Sequence, residues 1–498
     1  MNATTLIAEL CVYIITWNVG TKYPDDLSLY NLLGLKSHTC PGESLPDLYA
    51  IGLQEVNSRP KNQVLGLFKD DPWTIGFKEI LKDHDYVAIK TEQMQGLMLT
   101  LFSKRKHVPH LRSIEAEFTR TGFGGIWGNK GAVSIRLSVY GCGVSFVVAH
   151  LAAHDHELDE RIEDYRQILE NHHYHVKKYR EIFDHEYVFW FGDLNFRLTG
   201  DDSPEEVRSL VEQDKLSQLI QRDQLLLVRE NRKAFHQLQE KLPEFPPTFK
   251  FKENTSSYDM KRRPAWTDRI LYTINRDKYP DIKLHLEQRS YKSHPGYTIS
   301  DHRPVSSEFI IKLPKARSLI QNQMPMAAKQ RMVNLELYTK FDETDYSDEH
   351  EQVTTDPNEL FVEFRDVPIW MIGEENTVEY YKPHGFVEED NDWIGVYPSN
   401  YASFSDYAAY QYVNQADTPS TPAAAGGLEP HYHHRAKPIN PTTMRIPFSE
   451  DIELKDGENY MLIYFQNTGI RGVTSVAGMS NTFRAEKRPP TPRFEMLD

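Results

Sequence analysis

Asp193 and Asn195 stand two positions apart in WFGDLNFRL (190–198), with Gly192 before them and Arg197 just beyond. A carboxylate that can take a proton thus sits beside a neutral amide. Residues i and i+2 of an extended chain face one side, so both would meet one reactant at a strand end. Taken alone, the step reads equally well as an Asx-type turn into a polar loop. Other polar residues close apolar runs in the same way: Asn18 in TWNVG, Gln54 and Glu55 in IGLQEV, His150 in VSFVVAHL, and Asp301 and His302 in TISDHRPV. Several such residues, all of acid/base or metal-ligand type, predict a shared site at one edge of the sheets. The chemistry they suit is phosphoester hydrolysis with a hard divalent cation. Glu55 is a suitable Mg²⁺ ligand and the Asn18 amide oxygen a weaker one. Asp193 is placed to take a proton from an attacking water, with Asn195 to hold that water or a phosphoryl oxygen. His150 and His302 can donate to phosphate, and a neighbouring carboxylate would keep such a histidine protonated.

The elements that must carry these residues are legible as apolar runs. CVYIITW, DLYAIGLQ, LMLTLFS, AVSIRLSVY, VSFVVAHL, YVFWFGDL, DRILYTI and VSSEFIIKL alternate with amphipathic charged stretches such as 156–183 and 204–238. SVYGCGVSF, with Gly141 and Gly143, reads as two strands joined by a tight turn. This predicts an α/β domain of two packed sheets with outer helices over 10–313. A basic linker follows at 314–332. Residues 333–486 carry Tyr, Phe and Val at alternating positions and predict an all-β, immunoglobulin-like sandwich. Within it, a Pro-, Gly- and Ala-rich stretch near 414–443 reads as a disordered insertion. Its HYHHR cluster reads as a solvated loop rather than a metal site. Residues 487–498 form a tail.

The 498 residues carry a formal net charge of -15, which argues against an unspecific nucleic-acid binder. The three cysteines, Cys11, Cys40 and Cys142, are scattered without a CxxC. That pattern fits a reducing compartment and argues against a disulfide framework or a cysteine-based zinc site. The start, MNATTLIAELCVYIITWNVG, reads as a first core strand rather than a signal peptide. No apolar run is long enough to span a bilayer, so membrane contact is expected to be peripheral.

WNVG, GLQEV, GNKGAVSIR, AHLAAH, WFGDLNFRL, PPTFKF, RPAWTDRIL and SDHRPV occur in that order. Together they resemble the inositol polyphosphate 5-phosphatases, relatives of apurinic endonucleases and pancreatic deoxyribonuclease. WFGDLNFRL with PAWTDRIL is the pairing that separates the phosphatases from the nucleases. DWIGVY (392–397), YMLIYF and GMSNTF resemble the SKICH domain, and the two domains together resemble the skeletal-muscle-and-kidney-enriched inositol phosphatases. The resemblance implies that Glu55 and Asn18 bind Mg²⁺. It implies that Asp193 activates water positioned by Asn195. It further implies that His302 contacts the scissile 5-phosphate, that Asp268 orients its imidazole, and that Asp301 supports the metal side. His150, Asn129 and Lys130 would help hold phosphate. Without the motif context, Asp268 reads as the partner of Arg269 or Arg263.

Lys250, Lys261, Arg262 and Arg263 form a basic set, in the region where the resembled family grips the 4-phosphate. YDMKRRPAW is shorter than the usual stretch, which leaves the individual contacts open. A solvated basic loop is the alternative. Phe123, Ile126 and Trp127 lie among glycines in FGGIWGNKG. They either insert into the lipid interface or fold onto the domain's own core. The histidines of HHYH (His172, His173, His175) read as a solvated helix face. The resemblance implies Mg²⁺-dependent removal of the 5-phosphate from phosphatidylinositol 4,5-bisphosphate and 3,4,5-trisphosphate, with soluble inositol 1,4,5-trisphosphate as a further candidate. It also implies a cytoplasmic enzyme recruited to endoplasmic reticulum or plasma membrane, with a protein partner for the SKICH-like domain and no nucleic acid. The rivals are a Mg²⁺-dependent endonuclease and a non-catalytic phosphoinositide-binding module.

Overall fold

A computed structural model describes residues 8–25, 27–56, 71–121, 129–280, 283–313, 361–383, 385–415, 442–468 and 472–488. Phe123, Ile126 and Trp127, the linker 314–332, the HYHHR cluster and residues 489–498 lie outside them. The described residues divide into two compact units, the first taking in residues 8–313 with Ala402–Phe404 and the second the other described residues from Phe361 on.

The first unit holds eleven of the named strands: β1 (Ala8–Asn18), β2 (Leu48–Gln54), β3 (Tyr86–Met94), β4 (Leu97–Lys104), β5 (Leu111–Arg120), β6 (Gly131–Val139), β7 (Cys142–His150), β8 (Tyr187–Asp193), β9 (Asp268–Ile274), β10 (Leu286–Ser293) and β11 (Val305–Leu313). One sheet runs β10-β11-β1-β2-β4-β3, and β5 to β9 lie side by side in chain order. The pairs β1–β2 and β7–β8 are parallel, and the other neighbours in these two arrays are antiparallel. Covered on both faces, the parallel strands are apolar almost without a break. Between the sheets Phe189 of β8 meets Phe146 at 5.4 Å and Phe309 of β11 at 5.0 Å between ring centroids. At Gly52 the sheets come so close that a Cβ would lie 2.6 Å from both Phe191 and Val148.

Helices cover the outer faces. Helix α1 (Pro72–Lys82) begins at Asp71, whose side chain caps the Trp73 N–H. Its Trp73, Phe77 and Leu81 pack on Trp17 and Tyr49. Helix α2 (Leu158–Asn171) is shorter than the charged stretch 156–183 suggested. The stretch 204–238 holds three short helices, α3 (Pro204–Glu212), α4 (Leu216–Ile220) and α5 (Gln224–Glu230). Tyr165 and Ile168 of α2 and Leu225 and Val228 of α5 join Val188 and Trp190 in a second core.

Two expectations fail in this unit. Cys11 and Cys40 form a disulfide. They are 29 positions apart, so no spacing motif announces them. They meet because the connection after β1 folds back beside Ile310. This bridge runs against the reducing-compartment reading of the cysteines. HHYH is not a solvated helix face either, although His173 itself is exposed. It lies beyond α2, and His172 is buried, with its two ring nitrogens on Thr119 and Ser134 at 2.9 and 2.6 Å. His175 Nδ1 sits 2.7 Å from the buried carboxylate of Glu115.

The second unit is all β apart from one 3₁₀ turn among its described residues. β12 (Glu363–Phe364), β14 (Asn376–Lys382) and β17 (Thr442–Phe448) form one sheet in the order β12-β14-β17. In the other, β18 (Asn459–Thr468) is central, pairing with β15 (Trp393–Pro398), β19 (Val473–Met479) and β20 (Phe483–Lys487). β13 (Ile369–Ile372) adds to β20 and β16 (Ala409–Tyr412) to β15. Inner faces alternate as expected, with Val378, Tyr380, Ile446, Ile394, Val396, Leu462 and Tyr464 in one core. The sandwich architecture expected from the alternating aromatics is present.

Candidate active site

Strand register assembles the site. In the parallel pairs Asn18 lies opposite Gln54, and His150 opposite Asp193. In the antiparallel pair β8–β9, Asp193 lies opposite Asp268. The end of β1 adjoins the start of β11, where Thr16 pairs with Val305. Four strand ends and two strand starts therefore meet at one edge of the two sheets, the edge expected from the polar residues that close the apolar runs.

Gly192 makes that edge possible. Its φ is 140°, and a Cβ there would stand 2.0 Å from the Ala149 carbonyl oxygen. β8 then stops, and Asn195 takes φ 57°, the left-handed region that Asn tolerates better than most residues. Asp193 and Asn195 still face one cavity, although through this turn rather than through an extended chain.

The cavity measures about 290 Å³ and is lined by Glu55, Lys130, His150, Ala153, His154, Asp155, Asp193, Asn195, Arg197, Phe249, Lys250, Arg262, Asp301 and His302. Asp193 Oδ2 accepts a hydrogen bond from Asn18 Nδ2 at 3.0 Å and lies 3.4 Å from His150 Nε2 and 3.8 Å from His302 Nε2. Burial alone would raise its pKa, but His302, His150 and Lys130 hold it far below the usual carboxylate range. His302 Nδ1 lies 3.0 Å from Asp268 Oδ2, which also accepts from the Thr248 and Thr267 hydroxyls at 2.7 and 2.9 Å. Burial disfavours the imidazolium of His302. Asp268 and Asp193 outweigh that and push its pKa up to about 9.

His150 behaves in the opposite way. Burial and the Lys130 ammonium, 2.5 Å from Nε2, pull its pKa below the ordinary value. The expectation that a nearby carboxylate keeps it charged therefore holds for His302 and fails for His150. Lys130 is itself lowered by burial.

On the metal side, Asn18 Nδ2 bridges Glu55 Oε1 and Asp193 Oδ2, both at 3.0 Å, and its Oδ1 accepts from the Gly20 N–H. Glu55 is exposed and has φ 55°. Asp301 pairs with Lys250 at 3.0 Å. Asn129 is exposed and is not among the lining residues.

The basic set splits. Lys250 and Arg262 line the cavity, whereas Lys261 and Arg263 are absent from its walls. Arg263 is held by Asp155 at 3.2 Å and by the carbonyls of Leu198 and Gly200. Arg269 pairs with Asp223 and Glu240 at 2.9 and 2.7 Å. Asp268 is thus left to His302, against the ion-pair reading of WTDRIL. Sequence reasoning missed Thr248 and Thr267, although both stood in motifs it used. A hydroxyl next to a buried carboxylate was the available signal. It also left Arg197 without a role.

Residues 15–308 match the family described as Endonuclease/Exonuclease/phosphatase family 2, and residues 362–485 match the SKICH domain. Over 487 residues the chain is 30% identical to mouse (Mus musculus) inositol polyphosphate 5-phosphatase K, covering 95% of this chain and 89% of that protein. Over 471 residues it is 32% identical to human (Homo sapiens) phosphatidylinositol 4,5-bisphosphate 5-phosphatase A, covering 92% of this chain but 40% of that relative's length. The inositol polyphosphate 5-phosphatase domain of SPsynaptojanin, solved with inositol (1,4)-bisphosphate and a calcium ion, superimposes with a TM-score of 0.53 at 30% identity, covering 67% of this chain and 94% of that one. The chain belongs to the inositol polyphosphate 5-phosphatases of the endonuclease/exonuclease/phosphatase family 2, with a SKICH domain after the catalytic one.

Proposed function

We propose that this protein is a metal-dependent phosphatase that removes the 5-phosphate of phosphatidylinositol 4,5-bisphosphate and 3,4,5-trisphosphate, and of soluble inositol 1,4,5-trisphosphate. The observation that carries the reading is the meeting of Asp193, Asn195, Lys130, Glu55 and the His302–Asp268 pair around one cavity. An ionised carboxylate, a held imidazolium and several cations are what hydrolysis of a phosphomonoester dianion needs. Asp193 takes the proton of the attacking water. His302 donates from Nε2 to a phosphoryl oxygen, while Asp268 holds Nδ1. Lys130 adds charge on the same side. Lys250 and Arg262 stand at the cavity wall to meet a second phosphate, and a guanidinium suits bidentate contact with it.

The donors around Glu55 suit a hard divalent cation. They are carboxylate and amide groups, and no thiol is among the described residues that line the cavity. Glu55 is the ligand most directly offered. Asn18 joins it with its amide reversed, since its oxygen now accepts from Gly20. When bound, Mg²⁺ neutralises charge on the phosphoryl and leaving oxygens.

The second domain takes the part of recruiter, bringing the enzyme to endoplasmic reticulum or plasma membrane through a protein partner. A cytoplasmic location belongs to the same reading, with the Cys11–Cys40 bridge as the observation against it. Phosphate release from vesicles containing phosphatidylinositol 4,5-bisphosphate, beside soluble inositol 1,4,5-trisphosphate, tests the proposal. Release is expected to need Mg²⁺ and to vanish in Asp193→Ala. Release that survives this substitution or chelation of Mg²⁺ would overturn the mechanism.

A further inference from the structure

Arg197 ends the motif that places Asp193 and Asn195, and the roles assigned above leave it unused. Its side chain is 4% exposed and lines the active-site cavity. Nε donates to the Asn195 carbonyl oxygen at 3.1 Å, and Nη2 donates to the Asn195 side-chain oxygen Oδ1. Asn195 Nδ2 in turn donates to the Leu151 carbonyl at 3.0 Å. The guanidinium carbon lies 4.3 Å from the centre of the Phe249 ring, and that ring centre lies 4.5 Å from the His302 ring. The Arg197 backbone is pinned as well, its N–H donating to Gln224 Oε1 at 2.9 Å. The plane of the guanidinium is therefore fixed from two sides.

One corner of the fork is left over. Nη1 is buried and has no hydrogen-bond partner among the described residues. Buried donors, charged ones above all, are normally satisfied. The neighbouring cations differ: Lys250 is paired with Asp301 and Lys130 lies against His150. Arg197 combines a rigid buried guanidinium, a free charged donor and a position on the cavity wall next to Asn195. An anion with oxygen acceptors is the ligand class that completes it.

We propose that Arg197 holds Asn195 in place through Nε and Nη2 and presents Nη1 to a phosphoryl oxygen of the phosphomonoester bound beside Asn195. This rests on the phosphatase reading. Arg197 is then both a positioning residue and a direct phosphate contact. A lysine cannot replace it, because one ammonium cannot serve Asn195 and the phosphate at once.

The intact chain and its Arg197→Lys and Arg197→Met variants provide the test. Inorganic phosphate binding is measured by calorimetry, kcat and KM with inositol 1,4,5-trisphosphate, and thermal midpoints for all three. Arg197→Lys is expected to stay folded, to bind phosphate about ten-fold more weakly, and to lose about 100-fold in kcat with a smaller change in KM. Arg197→Met should lose at least as much. Variants that melt earlier but bind phosphate and turn over like the parent would assign Arg197 to structure alone and overturn the proposal. So would a parent protein that binds no phosphate. A parent that binds phosphate through Arg197 but releases none from either substrate would sink the phosphatase reading and leave the Arg197 contact standing.

Discussion

His302 stands between two carboxylates, with Nδ1 3.0 Å from Asp268 Oδ2 and Nε2 3.8 Å from Asp193 Oδ2. The first contact spans 34 residues of chain and joins the start of β9 to the segment before β11. It fixes the ring's orientation and keeps its charge. The second aims that charge at the carboxylate proposed to activate water.

The charge sets the alkaline limit of activity. With its pKa near 9, the His302 imidazolium persists through neutral pH, and kcat/KM is expected to fall as pH rises through about 9. Asp268→Asn removes the carboxylate that does most to offset the burial of the ring. The alkaline fall should then move to lower pH, and the rate at pH 7.5 should drop about 100-fold or more. A variant whose pH profile matches the parent would show that Asp268 does not govern His302.

Arg269 serves the fold rather than the substrate. It is fully buried between Asp223 and Glu240. Arg269→Met leaves buried Asp223 without its cation and Glu240 with Arg229 alone, 3.6 Å away, and should cost about 3–5 kcal/mol in urea unfolding. Replacing Asp223 and Glu240 by apolar residues in the same chain should recover much of the loss.

Gly192→Ala is expected to be among the most damaging small substitutions. The added Cβ meets the Ala149 carbonyl at 2.0 Å, and φ 140° is strained for any L side chain. A cost of at least about 3 kcal/mol is expected. An unchanged thermal midpoint would contradict the close β7–β8 approach.

In the second domain, Asp392 couples stability to pH. Its carboxylate accepts from the N–H groups of Asn467 and Glu389 and from the Tyr464 hydroxyl. Burial outweighs these bonds and pushes its pKa up to about 6. The folded state therefore holds its proton more tightly than the unfolded chain, whose pKa is about 3.9. Its contribution is full below pH 4 and is lost as pH rises through about 6. Thermal melts of the domain's transition from pH 4 to 7.5 should show this fall, and Asp392→Asn should flatten it.

Much of this was legible because strand ends carry their polar residues next to long apolar runs. β1, β2, β7 and β8 were visible as such runs, and Asn18, Glu55, His150 and Asp193 were visible at their ends. The SVYGCGVSF turn also lies where its glycines put it, between β6 and β7. What failed depends on contacts far apart in sequence. The Cys11–Cys40 bridge and the burial of His172 are set by how loops fold back, which no local period encodes. Arg263 and Lys261 looked equivalent to Lys250 and Arg262. Only the path of the loop decides which of them reaches the cavity.

The most direct test identifies the product. Inositol 1,4,5-trisphosphate is incubated with the intact protein and Mg²⁺, and the inositol phosphates are resolved by ³¹P NMR. The account predicts inositol 1,4-bisphosphate and inorganic phosphate as the only products, with none formed by Asp193→Ala. Loss of the 1- or 4-phosphate, or an unaltered trisphosphate, would contradict it.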